Sequence, residues 1–330
     1  MTMAFRARPA GETTQRSIAL VAARRPDAEA LGRLLAELVD DPDAFVRALR
    51  GGFERLADPA YLAGQQLVAP GIGALLGVRS PLMEATARTL RAHTRDASSS
   101  QLLFVADRLL RDELLELRWF ALGILDRTIG REPERTWQLL RPAAHAASDW
   151  ITVDTLARPA ARGILSEPYR WAELEQLVFS PSRWERRLVG STIATMPFVD
   201  RSAGRTQEYV ERALALLGQL IGDAEPDVQK ALAWAYRSVT QIDRTAVGAT
   251  LELETDSAAA AGDGNRAWVI RDVLPRLDAE LAARLHGRLH GVRRRPGSGS
   301  TSVAGEIATR FADPERNERS LGDTHGADGP

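Results

Sequence analysis

An indole and a carboxylate four residues apart, Trp150 and Asp154, open a run with apolar residues at helical spacing that continues from Thr155 to Leu165. Positions four apart on an α-helix stack one turn over the other, so the ring and the carboxylate project side by side from one face. A hydrophobic core excludes such a carboxylate. A surface that stabilises a positive charge could use both, the carboxylate by its charge and the indole by the negative face of its ring. The structural alternative is a buried Trp150 with Asp154 at the rim, paired to Arg158 four residues on.

Two later stretches extend the pattern. They are Ser182, Arg183, Trp184, Glu185, Arg186, Arg187, and Asp227, Val228, Gln229, Lys230, Ala231, Leu232, Ala233, Trp234. Both read as helix starts. In the second, Lys230 and Trp234 are four apart and Arg237 is three further on, so a cation, an indole and another cation share a face. In a stack of helical repeats, equivalent helices line the same wall. Trp150, Asp154, Arg187, Lys230 and Trp234 are therefore expected to converge on one groove.

The elements that must position these residues are helices. The 330 residues are 44% hydrophobic, dominated by Leu and Ala, with only 6% aromatic residues and almost no alternating β-branched runs, which is the balance of an all-α protein. Residues 1–25 lack sustained periodicity and read as a flexible N-terminal arm. Asp27 to Val39 and Asp43 to Leu56 read as two helices, with Asp43 as an N-cap candidate and Gly51 and Gly52 weakening the second. Pro70, Gly71, Gly73, Gly77 and Pro81 mark a junction, with Ser80 placed to cap the next helix. From Ser99 onward short polar turns separate helices of about 10 to 18 residues. Anchors at 119, 154, 187 and 230 lie 35, 33 and 43 residues apart, which fits irregular HEAT-type repeats stacked in a single α-solenoid over residues 26–292. Ser257 to Asn265 reads as a Gly/Asp/Ala-rich loop. Residues 293–330 start with three arginines, have almost no apolar content, and read as a disordered tail.

Several classes of function are excluded or disfavoured. There is no cysteine, so disulfides and thiolate metal sites are out, and the reducing cytoplasm is the default compartment. The apolar run from Ser17 to Ala23 is too brief for a signal peptide, and no stretch approaches transmembrane length. No Walker loop, nucleophile elbow, dinucleotide fingerprint or two-metal carboxylate cluster is present. His286 and His290 are four apart but lack a third ligand, so no metal is expected. The net charge is −1, so any basic footprint must be sorted in space. Of 43 basic residues only Lys230 is a lysine.

Four stretches, in order, carry a resemblance to a known family. They are Leu76, Gly77, Val78, Arg79, Ser80, Pro81; then Trp150 to Asp154; then Trp184 to Arg187; then Val228, Gln229, Lys230, Ala231 and Trp234. Between about Ala60 and Arg271 the chain resembles the AlkD-type DNA alkylation repair glycosylases, which are built of HEAT-like repeats. The resemblance implies that Trp150 and Trp234 flank the lesion, that Asp154 is the catalytic carboxylate and that Arg187 contacts DNA. The neighbouring cations Arg183, Arg186, Lys230 and Arg237 are then expected DNA contacts. The implied reaction is base excision repair chemistry by a cytoplasmic monomer, without metal or cofactor, on duplex DNA containing alkylated purines such as 7-methylguanine, 3-methyladenine or bulkier adducts. The chemistry is consistent with the residues. Purines alkylated at N3 or N7 are cationic and already good leaving groups, so what remains is to stabilise positive charge on the departing deoxyribose.

Two features depart from the family pattern. Asp149 stands where an aromatic residue is often found, adding negative charge near the expected DNA path. Between Gln101 and Arg187, 13 arginines are matched by 13 acidic residues. These favour an alternative, a non-catalytic HEAT-type scaffold that binds DNA or protein. The family also includes self-resistance enzymes of producers of DNA-alkylating natural products, a role the sequence does not separate from general repair.

Overall fold

A computed structural model describes residues 11–302 together with 304, 305 and 307. Among these are 15 α-helices, three short 3-10 turns and no strand, Ala57 and Val78 making one isolated antiparallel bridge. The all-α, helical-repeat architecture read from composition and spacing is the one the chain adopts. It divides into two compact units, Met1–Thr128 and Ile129–Pro330.

The first unit holds α1 (Glu12–Glu37), α2 (Pro42–Leu56), α3 (Pro59–Val68), α4 (Ser80–His93), α5 (Ser99–Leu110) and α6 (Leu115–Thr128). Residues 12–25 are helical, so the expected flexible arm is corrected for that stretch, while residues 1–10 lie outside the described residues. Most of this half of α1 is exposed, and the missing periodicity reported exposure, not disorder. Its second half packs on α4, where Gly32 lets the Thr86 carbonyl and Thr89 approach closer than any side chain would allow. Gly52 serves the same end in α2, because Leu31 occupies the space of its absent Cβ. Asp41, not Asp43, caps α2 by accepting from the Ala44 N–H at 2.9 Å, with Pro42 as the first helical residue. Arg79 occupies the N-cap of α4, and Ser80 lies inside the helix.

The junction before α4 is tied down by a fully buried carboxylate. Glu116, in the first turn of α6, accepts the backbone N–H groups of Leu76 (3.0 Å), Gly77 (2.7 Å) and Val78 (3.3 Å). Gly77 has φ +82°, and a Cβ there would lie 2.7 Å from that of Leu62, so only glycine fits this turn. Asp58 caps α3 at the Ala60 N–H and pairs with Arg79 at 2.7 Å.

The second unit holds α7 (Pro133–His145), α8 (Trp150–Ser166), α9 (Trp171–Val178), α10 (Arg183–Val199), α11 (Gln207–Leu220), α12 (Pro226–Val239), α13 (Arg244–Ala261), α14 (Gly264–Val273) and α15 (Ala279–Arg288). It is a two-layer repeat. In one layer α8, α10, α12 and α14 pack side by side, and in the other α9, α11, α13 and α15 do, with α9 on α10, α11 on α12 and α13 on α14 across the layers. Gly190 sets the spacing of α10 and α12, since a Cβ there would sit 2.9 Å from the Ala231 carbonyl carbon. The expected loop at 257–265 is mostly helix. Alanine is the strongest helix former, α13 runs through Ala261, and the chain turns only at Gly262, with φ +64°, before Asp263 caps α14.

The stretch expected to be disordered is also corrected in part. Residues 293–302 return across α12 and α14. The Arg294 guanidinium donates to Gln229 Oε1 (2.9 Å), Asn265 Nδ2 to the Gly299 carbonyl (3.0 Å), and the Thr301 N–H to the Gly222 carbonyl (3.0 Å). Polar bonds hold this segment, which is why apolar content gave no sign of it. Residues 308–330 lie outside the described residues.

Candidate active site

The helices α8, α10, α12 and α14 run parallel and in register, with their N-termini at one edge. Arg187 and Asp154, which hydrogen-bond across α10 and α8, are both the fifth residue of their helix; the equivalents in α12 and α14 are Lys230 and Trp268. Four positive helix ends thus lie along one edge, offset in part by the capping carboxylates Asp149 and Asp263.

Asp149 resolves one of the departures. It is the N-cap of α8, accepting the Thr152 N–H (2.8 Å) and the Thr152 hydroxyl (2.6 Å), and is only 5% exposed. The carboxylate that looked like a repulsive surface charge is buried and spent on starting the helix. Trp150 is the first residue of α8 and is half-buried. One turn later comes Asp154.

The Asp154 carboxylate is held by three donors from α10. Arg187 approaches it with both arms of its fork, Nε to Oδ1 at 3.1 Å and Nη2 to Oδ2 at 2.8 Å, and the Ser191 hydroxyl donates to Oδ1 at 2.7 Å. Arg187 is fixed in turn by Nη1 donating to the Asp227 carbonyl in the first turn of α12, at 2.7 Å. Side-chain exposure is 6% for Arg187 and 24% for Asp154. The pair is therefore an oriented dipole with the carboxylate outward and the guanidinium beneath it. A carboxylate has about four acceptor lobes, and donors among the described residues occupy three here. The remaining one, on Oδ2, is available to a water or a cation at the exposed side. Asp154 is thus held from the neighbouring helix, by Arg187 and Ser191.

The expected DNA contacts separate into three groups. Lys230 is exposed and has no hydrogen-bonded or ionic partner among the described residues, and Arg183 is exposed, stacked over Trp184 at 4.7 Å and 3.4 Å from Glu225. Arg237 is half-buried, paired with Asp272, and its pKa is pushed down by burial and then by Arg276. Arg186 and Arg187 are buried. Arg186 closes the turn before α10, donating to Asp223 (2.7 Å) and to the carbonyls of Ser180 (2.9 Å) and Pro181 (3.1 Å). It is withdrawn from the surface, so its expected role as a DNA contact does not agree with its position.

The tryptophans also sort by environment. Trp234, on α12, is half-buried like Trp150, and neither ring stacks on another ring or cation among the described residues. Trp137 and Trp171 are core residues, though each carries a cation over its ring, Arg170 at 4.6 Å and Arg212 at 5.7 Å. A cavity of about 330 Å³ lies on the opposite face of α8, lined by Leu156, Ala160 and Ile164 together with Trp137 and Leu188, and Asp154 takes no part in it. Among the described residues no group of three or more His, Asp or Glu is placed to hold a metal ion, and no described helix is long and apolar enough to cross a membrane.

Sequence reasoning missed Ser191 and Glu116. Ser191 stands one helical turn after Arg187, a spacing that puts both on one face and could have drawn attention to it. For Glu116 no local signal existed, because its three partners lie some forty residues away.

Comparison with curated proteins returns no match. Against family models, residues 49–262, about two thirds of the chain, match the model described as DNA alkylation repair enzyme, a span that takes in the Gly77 turn, Asp154 with its clamp, Lys230 and Trp234. The chain belongs to the DNA alkylation repair enzyme family.

Proposed function

We propose that the protein is a DNA glycosylase that hydrolyses the N-glycosidic bond of cationic N-alkylated purines in duplex DNA and leaves an abasic site. The observation that carries this is the Asp154 carboxylate, outward-facing and held by the Arg187 fork and Ser191 on the helix row that also bears Trp150 and Trp234. An alkylated purine leaves without a general acid. The barrier is the positive charge that grows on the deoxyribose as the bond breaks. A carboxylate already locked in place stabilises that charge without reorganising, and its free lobe orients the attacking water. Arg187 weakens the field in front of Asp154 but fixes its direction. Half-exposed indoles add roughly 0.5 to 2 kcal/mol each against a cationic sugar or base.

None of Trp150, Asp154 and Trp234 lies in the buried core, which favours the enzyme over a scaffold. As in the glycosylases the sequence resembles, engagement of the backbone around the lesion without enclosure of the base would bring tolerance of bulky adducts. The protein would act as a monomer in the cytoplasm, without metal. The test is release of free 7-methylguanine and 3-methyladenine from methylated duplex DNA with EDTA present. Release supports the reading. A folded protein that binds this DNA and releases no base supports the scaffold.

A further inference from the structure

Arg293, Arg294 and Arg295 lie where the chain comes back over the N-termini of α12 and α14. Their place is set by a series of specific contacts. Arg271 Nη2 donates to the Leu289 and Val292 carbonyls at 2.7 and 2.6 Å, fixing the approach. The Arg293 carbonyl lies in the space a Cβ at Gly264 would fill, so the backbone crosses directly over the first residue of α14. Arg294 is tied to Gln229, and Thr301 reaches both Gly222 and Asp263. The segment is a strap across the end of the layer, held along its length.

The strap changes the charge of that edge. Arg293 and Arg295 are exposed and, among the described residues, have no hydrogen-bonded or ionic partner; Lys230, next to the Gln229 that holds Arg294, is likewise open. The acids of the same elements are largely neutralised. Asp263 caps α14 and receives Arg266 and Thr301, Asp223 is taken by Arg186, and Glu225 faces Arg183. Among the described residues, Asp227 in the first turn of α12 is the acid of these elements whose carboxylate faces no cation. The edge presents Arg293, Arg295 and Lys230 outward, beside the positive ends of α12 and α14.

We propose that this strap is a phosphate-contacting surface that extends the DNA path from Asp154 along the row of helix N-termini, a proposal that rests on reading the chain as acting on duplex DNA. The connection runs through α12. Arg187, which holds Asp154, bonds the Asp227 carbonyl, and Arg294 bonds Gln229 half a turn later. Two helix spacings of roughly 8–10 Å each separate α8 from α12, and a duplex advances about 3.4 Å per base pair, so the strap meets the backbone about five base pairs from the lesion. It supplies non-specific affinity in a chain whose net charge is −1, and it acts on binding and not on the chemical step.

The test is the salt dependence of binding to undamaged duplex DNA by the full-length protein and by Arg293→Ala/Arg295→Ala. Both side chains are exposed, so the double variant should melt with wild type. Each lost contact should lower the slope of log K against log salt by about 0.9 and weaken binding roughly tenfold at 0.1 M salt, while single-turnover base release at saturating protein stays unchanged. Thr301→Val, which leaves all three arginines in place but loosens the strap, should give a smaller loss. An unchanged slope in a double variant that still releases methylated bases overturns the strap and leaves the proposed function standing. A lowered slope in a protein that releases no base supports the strap and overturns the enzyme reading. Failure of the wild type to bind duplex DNA at low salt overturns both.

Discussion

Replacing Arg187 by alanine separates two roles that the same residue could play. As a phosphate contact, its loss would weaken binding and lower the salt slope by about 0.9. The geometry gives a different expectation, because the guanidinium is 6% exposed and its arms are committed to Asp154 at 3.1 and 2.8 Å and to the Asp227 carbonyl at 2.7 Å. Removing it leaves Asp154 with Ser191 as its hydrogen-bond donor among the described residues, free to rotate away from the reacting sugar. Loss of one preorganised electrostatic group costs about 2.7 to 4 kcal/mol, or roughly 10² to 10³ in rate. Breaking a buried ion pair destabilises by about 3 to 5 kcal/mol, and a value at or below the lower end is expected here because Asp154 can be hydrated where it is exposed. Arg187→Lys keeps a charge but lacks the fork, so it should retain part of the stability and recover little of the rate. The assays are single-turnover release of 7-methylguanine at saturating protein, paired with binding across a salt series. A rate within threefold of wild type, together with a salt slope lower by about one contact, would refute the positioning role and restore Arg187 to the DNA interface.

Three further outcomes follow from the same contacts. Glu116→Ala removes the acceptor for three backbone N–H groups in a fully buried setting; at roughly 1.5 to 3 kcal/mol per bond to a charged group, less what water recovers, a loss above about 3 kcal/mol is expected by denaturant unfolding, and a loss under 1 kcal/mol would contradict the account of the Gly77 turn. Asp58 is pulled by burial towards a higher pKa, but the hydrogen bonds from Arg79 and Ala60 outweigh burial and hold it below the ordinary value. A lowered folded-state pKa means stability present above the unfolded carboxylate pKa and lost as pH falls through the folded value, so Asp58→Asn should flatten the acid side of the stability curve; an unaltered acid limb counts against this. Gly190→Ala places a Cβ 2.9 Å from the Ala231 backbone; despite a helix-propensity gain of about 1 kcal/mol, it should destabilise by about 1 to 2 kcal/mol net and lower base release by displacing Arg187, and a stabilised variant with full activity would contradict the close packing of α10 on α12.

How far the chain could be read without its structure differs from one residue to the next. The anchors at 119, 154, 187 and 230 turn out to be the fifth residues of α6, α8, α10 and α12, with Trp268 at the same place in α14. Their uneven spacing reflects intervening helices and loops of different length, while α8, α10, α12 and α14 keep a common register. Helix periodicity was legible wherever one face is buried and failed for Glu12 to Arg25, which is helical and mostly exposed. Asp154 was legible as a carboxylate out of place on an apolar helix. Its partners were not, because a local reading offers Arg158 at four residues, whereas Arg187 and Ser191 arrive from the next repeat, 33 and 37 residues away. Asp149 looked repulsive for a related reason, since an N-cap and a surface charge are the same letter until the helix start is placed. The strap was hidden because side-chain to backbone bonds hold it, and composition registers only burial of apolar groups.

The most direct measurement is base release from methylated duplex DNA by the wild type and by Asp154→Asn, side by side, with EDTA and at matched occupancy of the DNA. The amide keeps the shape and can still accept from Ser191 but carries no charge. The wild type is expected to release 7-methylguanine and 3-methyladenine, the variant to do so about a hundredfold or more slowly, and both to bind DNA nearly equally. Equal rates of release by the two proteins would contradict this expectation.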